Sequence, residues 1–319
     1  MSGRLACNDV TNTVNVEQYG SVNAAIRAIF EARYPGHSFE VLDRAFGDLG
    51  RLFRGALPGY LACDTPYHDL RHTLDVTLAM ARLIEGHDRI AAPAARLGPE
   101  RAVMGVVVAL LHDSGYIREI SDTRVRHGAE YTKVHVGRGA RFISRYLPQI
   151  GLASHVPVAS QIVHFTGYEV GFDRIEVSDP RDRTLGHILG TADLIAQMSD
   201  RLYLEKCRDF LFEEFVLGGI ARQTLADGTD VVVYASPEDL LRKTPAFHES
   251  VVNERLSDEL GAVDRYAAVH FGGRNLYAEA IDRHLRHLRR VLDEGRMDAL
   301  RRGPRSLTLI QAGEERQAA

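Results

Sequence analysis

The sequence is short of cysteine, of net charge and of long apolar runs, and each shortage argues against a class of protein. Cys7, Cys63 and Cys207 are its only thiols. They are odd in number, scattered and without CxxC spacing, which argues against a disulfide framework and a thiolate zinc site. Its 39 basic and 43 acidic residues leave a net charge of −4, so neither a nucleic-acid groove nor a patch for an anionic membrane is expected. The longest apolar run near the middle, Val106 to Leu111, is far short of the roughly 20 residues that cross a bilayer. The opening MSGRLACNDVTNTVN is polar, and no signal peptide is expected. Internal repeats and low-complexity tracts are missing too. What is present is a 319-residue chain with 45% hydrophobic and 26% charged residues. That composition is globular, and with these cysteines it points to a cytoplasmic protein.

The apolar periodicity is mostly helical. Residues 1–19 read as a loose N-terminal segment. Val22, Ile26, Ile29 and Phe30 mark a first helix, closed by Pro35-Gly36, and Leu42, Phe46, Leu49 and Phe53 mark a second. Asp64-Thr65-Pro66 reads as the start of a third helix, running to about Gly86. The stretch from Glu100 to His112 is almost entirely apolar, so it is expected at the centre of the core. Residues 129–147, 152–166 and 184–216 read as three more helices. Asp227-Gly228 lies between two β-prone runs and predicts a hairpin, after which helices return. The expected architecture is all-α with a short β-hairpin insertion: a metal-binding helical domain over 20–217, a hairpin and C-terminal helices over 218–300 packed on the same domain, and a polar tail over 301–319.

Several segments place metal-type side chains on or at the ends of these helices. YHDLRHTLD puts His68 and His72 on one helical face, with Asp75 beyond. LLHDSG closes the most apolar helix with His112 and Asp113. Two polar groups at the edge of a core need partners, and a cation serves both. His135 opens HVGRGARFISRYL, His164 closes VASQIVHF, and Asp193 sits among apolar residues in LGTADLIAQMSD. Imidazoles and carboxylates of this kind bind Zn, Mn, Fe or Mg. Two adjacent ions acidify a bridging water and clamp the oxygens of an in-line phosphoryl displacement. A histidine beside them is placed to protonate the leaving oxygen.

The order H…HD…D formed by His72, His112-Asp113 and Asp193 resembles the HD superfamily of metal-dependent phosphohydrolases. YHDLRHTLDV is similar to the YHNxxHxxDV signature of class I cyclic-nucleotide phosphodiesterases. The resemblance covers about Pro66 to Asp200. It implies an HD-type helical bundle in which His72, His112, Asp113 and Asp193 hold a first metal, Asp113 bridges to a second held by His135 and His164, and His68 is the proton donor. The chain continues HDSGYIRE where those enzymes have a second histidine and Pro-Gly, so the resemblance carries scaffold and metal and leaves the substrate open.

The activity so implied is hydrolysis of a nucleotide or other small phosphoester, with catalytic His68 and Asp113 and two divalent ions of Mn, Mg, Zn or Fe. Arg118 and Lys133 are candidates to meet phosphate oxygens. Asp75 is a candidate to orient a ligand imidazole, or else a helix-surface carboxylate. Gln197 is placed to face the pocket, and Asp200 to face it or to pair with an arginine. The other readings are a di-iron oxygenase with the same ligand order and a non-catalytic nucleotide sensor. Arg283, Arg286, Arg289 and Arg290 read as a solvated face or a helix-pairing surface, and the amphipathic C-terminal helix is a candidate homodimer surface or lid.

Overall fold

The computed structural model describes residues 5–225, 227–304 and 306. The fold is all-α with one small antiparallel hairpin. In chain order the α-helices are α1 (Tyr19–Arg33), α2 (Glu40–Phe53), α3 (Leu70–Ile90), α4 (Gly98–Leu111), α5 (His135–Tyr146), α6 (Val156–Ile162), α7 (Pro180–Ser199), α8 (Tyr203–Lys206) and α9 (Phe212–Leu217). The hairpin β1 (Arg222–Thr224) and β2 (Asp230–Val232) follows, then α10 (Pro237–Ser250), α11 (Arg265–His270) and α12 (Leu276–Asp293). The hairpin pairs Arg222 with Val232 and Thr224 with Asp230, and Gly228 takes the positive φ of +85° that the turn needs. Among the described residues no helix is long and apolar enough to cross a membrane.

The apolar α4 lies in the core as expected, buried from Ala102 to Leu111, and the more polar α3 shares the centre with it. Every residue from Leu70 to Asp88 is buried, and α3 packs on α1, α4, α7 and α11. Its polar side chains are tolerated inside because distant elements pair with them. Asp200 accepts from Arg71 at 2.8 Å, Tyr34 donates to Asp88 at 2.8 Å, and Glu85 meets His270 at 2.7 Å. None of these partners is adjacent in sequence, so periodicity alone did not show how deeply α3 is buried.

Local chemistry also moved several boundaries. The third helix begins at Leu70, because the Asp69 carboxylate accepts from the backbone N–H of His72 at 3.1 Å and caps it. Asp64 accepts instead from Gly128 N at 2.8 Å and pairs with Arg118. The expected helix over 184–216 is interrupted at Asp200 and resumes with a π-helical turn, Cys207–Leu211, between α8 and α9. The N-terminal segment is not loose over its described residues. Asp9 is fully buried, its carboxylate gathers the N–H groups of Thr11, Thr13 and Val14, and it pairs with the buried Arg82 of α3. A buried guanidinium requires a carboxylate, and this one comes from the chain's beginning. Of the tail expected over 301–319, only 301–304 and 306 are described. The C-terminal helices pack on the same core, α11 on α3 and α12 on α7. The arginines 283, 286, 289 and 290 of α12 are exposed, as expected of a solvated face.

Candidate metal centre

The start of α3, the end of α4 and the middle of α7 converge on one point. His72, His112 and Asp113 are only 5%, 1% and 3% exposed, and their ligand atoms lie within 4.8 Å of one another. His72 Nε2 is 3.3 Å from Asp113 Oδ2 and 3.3 Å from Asp193 Oδ1. His112 Nε2 is 3.1 Å from Asp113 Oδ2 and 3.7 Å from Asp193 Oδ1. His72, His112 and Asp113 thus form one group, and Asp193 of α7 approaches it from the side of the two imidazoles.

The protonation pattern shows what that centre requires. His112 Nδ1 is 2.7 Å from the Ala109 carbonyl, an acceptor, so Nδ1 carries the proton and Nε2 a lone pair. That lone pair faces Asp113 Oδ2, and both atoms are buried without a hydrogen-bond partner among the described residues. Two acceptors this close are stable only with a cation or a proton between them. The electrostatics agree. Burial opposes charging His72, yet Asp113 and Asp193 outweigh it and lift its pKa to about 10. The same carboxylates raise His112 against its burial. Burial would raise Asp113, but the imidazoles of His112 and His72 hold it well below the usual carboxylate range. Two imidazole nitrogens and two carboxylate oxygens suit a divalent cation such as Zn, Mn or Fe.

Asp113 faces two ways. While Oδ2 meets His72 and His112, Oδ1 lies 3.8 Å from His135 Nε2. His135 Nδ1 is 2.7 Å from the Thr132 carbonyl, so its Nε2 is also the unprotonated nitrogen. Burial, reinforced by His68, lowers the His135 pKa despite Asp113. His135 comes this close because a Cβ on Gly115 would collide with the His135 carbonyl. The glycine after HDS lets the first turn of α5 rest on the end of α4.

His164, expected as the second ligand beside His135, is elsewhere. It lines a separate open groove with Arg141, Ser144 and Gln161. The turn Val163–Thr166 directs Phe165 into the core against Gly186 of α7, and His164, whose Nδ1 is buried without a hydrogen-bond partner among the described residues, is not among the residues that line the cavity at the site. Glu169 occupies this side instead, 3.8 Å from His135 Nδ1, with its two oxygens accepting from Val136 N and Gly137 N at 2.7 and 2.9 Å. Arg118 is also diverted, held by Asp64 at 2.9 Å. Lys133 does border the cavity at the site. Asp75 is not a surface carboxylate. It is buried and shares a small polar pocket with His72, Gln197 and Asp200. Gln197 also reaches the main cavity, its Oε1 accepting from Tyr67 Oη at 3.1 Å. Asp200 pairs with Arg71 and Lys206.

His68 stands at the edge of the cluster. Its Nδ1 is 2.6 Å from Glu214 Oε2, and the other Glu214 oxygen accepts from Tyr67 N at 2.6 Å. Tyr116 lies between two histidines, stacked on His68 at 4.5 Å and on His135 at 4.3 Å. Glu214, Tyr116 and Glu169 were not picked out from sequence. Tyr116 follows HDSG directly and was findable, whereas Glu214 is 146 residues from its partner and has no local signal.

The sequence model of the Npun_R2479-like family matches residues 122–282. The chain belongs to the Npun_R2479-like family. No curated protein and no solved structure matches it. In this Npun_R2479-like chain the matched region carries His135, Asp193 and Glu214, while His68, His72, His112 and Asp113 precede it. The cluster therefore straddles the boundary of the match.

Proposed function

We propose that the protein is a metal-dependent phosphohydrolase of the HD type acting on a small phosphoester. The observation that carries this reading is the His68–Glu214 pair standing beside the four-residue cluster, with His68, Asp113 and Asp193 lining one cavity of about 460 Å³. His72, His112, Asp113 and Asp193 would hold the first ion, and the open side of Asp113 toward His135 suits a second. Ions bound there supply Lewis acidity, acidifying water and offsetting charge on phosphoryl oxygens.

The chain's own residues supply the rest. Glu214 accepts the Nδ1 proton of His68, which leaves Nε2 on the other edge of the ring for the cavity. As an imidazolium, the ring donates from that nitrogen to the departing ester oxygen, while Glu214 holds Nδ1 and so the orientation of the ring. Tyr116 fixes the plane of the His68 ring by stacking. Lys133 is exposed at the cavity and makes no ion pair among the described residues, so it is free to meet a phosphate oxygen. The oxygenase alternative uses the same ligand order, and His68, held by Glu214 at the cavity where a proton donor is needed, favours hydrolysis. The three free cysteines are consistent with a cytoplasmic setting.

The test is turnover of 4-nitrophenyl phosphate and bis(4-nitrophenyl) phosphate by the purified chain with Mn, Mg, Zn or Fe, with bound metal measured in parallel. Metal-dependent hydrolysis is expected. His68→Ala should lower it by about 10²- to 10⁴-fold, and Glu214→Gln by about 10- to 100-fold, with metal still bound. A metal-loaded protein that turns over neither substrate rejects the reading.

A further inference from the structure

Resting on the hydrolase reading, we infer that the phosphoester this site accepts carries an apolar alkyl or aryl group rather than a nucleoside. The lining of the cavity combines two chemistries. Asp113, His68, His135 and Lys133 line it together with the apolar side chains of Leu194, Leu211, Phe215, Ile220, Leu240 and Phe247. Phe215 stacks on Tyr234 with ring centres 5.5 Å apart, so this part of the wall is ordered aromatic surface.

Several of the polar groups that line the cavity are already engaged by the protein. Thr132, Thr166 and Thr244 donate their hydroxyls to the carbonyls of Ala129, Val163 and Leu240 at 2.6, 2.8 and 2.9 Å. Tyr203 Oη lies 3.2 Å from His248 Nε2. The Lys243 ammonium donates to the Val233 carbonyl at 2.7 Å and to Asp239 at 2.9 Å. Burial pushes the Cys207 thiol up to about 12, so it stays neutral. The Gln197 amide nitrogen, a turn from Asp193, and the hydroxyls of Tyr168 and Tyr234 are lining donors without a hydrogen bond among the described residues. The lining is nonetheless mostly carbon.

A nucleobase buried against such a wall would leave its edge donors and acceptors without partners, which weakens binding. An alkyl or aryl group loses nothing there and gains up to about fourfold in affinity per buried methylene. The volume suits a ligand of moderate size, and Phe247, 44% exposed, leaves the apolar lining open to one that extends outward.

The experiment is a calorimetric titration of the Mn-loaded chain with methyl, butyl and octyl phosphate and with adenosine 5′-phosphate, with 4-nitrophenyl phosphate turnover measured on the same preparation. Octyl phosphate should bind at least 100-fold more tightly than methyl phosphate, and adenosine 5′-phosphate no more tightly than butyl phosphate. Phe215→Ser and Phe247→Ser should each cut the octyl advantage about tenfold while methyl phosphate binding and metal content stay constant. Phe247 is partly exposed, so that variant tests the wall even if the Phe215 variant folds poorly. Octyl and methyl phosphate binding within threefold of each other, or adenosine 5′-phosphate binding more tightly than octyl phosphate, overturns the inference. Chain-length dependence without turnover upholds the ligand class and removes the hydrolase reading. Turnover without chain-length dependence does the reverse.

Discussion

At the scale of single residues, the site is defined by which nitrogen of each histidine carries a proton. The Ala109 and Thr132 carbonyls place that proton on Nδ1 of His112 and of His135, and so turn both Nε2 atoms toward Asp113. No residue type announces this; it is set by a carbonyl one helical turn back. A histidine outside the cluster, His248, is held neutral by burial. His248 is 1% exposed, and burial, with His284 and Arg289 nearby, lowers its pKa to about 4. In the unfolded chain the value returns to near 6.5. The unfolded state then binds the extra proton, so the associated stability is fully present above pH 6.5 and is lost as pH falls through about 4. Thermal denaturation followed from pH 7 to pH 4 should show a loss of up to roughly 3 kcal/mol from this group. His248→Gln should flatten that slope, and an unchanged slope would show that other groups set it.

At the scale of elements, the geometry depends on how closely α5 approaches the end of α4. Gly115 and Gly139 make the approach possible, since a Cβ on Gly139 would come within 2.9 Å of the His112 carbonyl and one on Gly115 would overlap that of His135. Gly115→Ala must push α5 away, at a cost of about 1–3 kcal/mol. His135 should move off Asp113 while His72, His112 and Asp193 stay in place. The expected result is loss of weakly bound metal with the tighter ion retained, read by metal titration beside a thermal melt. Equal loss of both ions would show that α5 supports the whole cluster. His164 belongs to the same scale. The periodicity of 152–166 correctly predicted a helix, but its 3₁₀ end directs Phe165 against Gly186, and His164 does not line the cavity at the site.

At the scale of the whole molecule, long-range ion pairs hold the polar side chains of α3 inside. The N-terminal turn, α3 and α12 meet where Arg82 contacts both Asp9 and Tyr277, the latter at 2.9 Å. Burial opposes ionisation of Asp9, but the Arg82 guanidinium and the Val14 N–H hold its pKa below the usual range. Asp9→Ala leaves a buried guanidinium without its carboxylate and should cost about 3–5 kcal/mol in chemical denaturation. Replacing both residues with leucine should cost less than the single change. A negligible effect of Asp9→Ala would mean that the N-terminal turn contributes little to the fold.

The one-dimensional pattern determined the helical class, the Asp227-Gly228 hairpin and the candidates His68, His72, His112, Asp113, His135 and Asp193. Helical periodicity and turn chemistry are local, and side chains suited to cations stand out when they interrupt apolar helices. Only the tertiary structure decided that α3 is buried from Leu70 to Asp88, that Glu214 orients His68, that Arg118 is taken by Asp64, and that His164 does not line the cavity at the site. Each of these depends on a contact between segments far apart in the chain or on the facing of a single 3₁₀ turn. Spacing along a sequence carries no information about such contacts, because they are set by how helices pack.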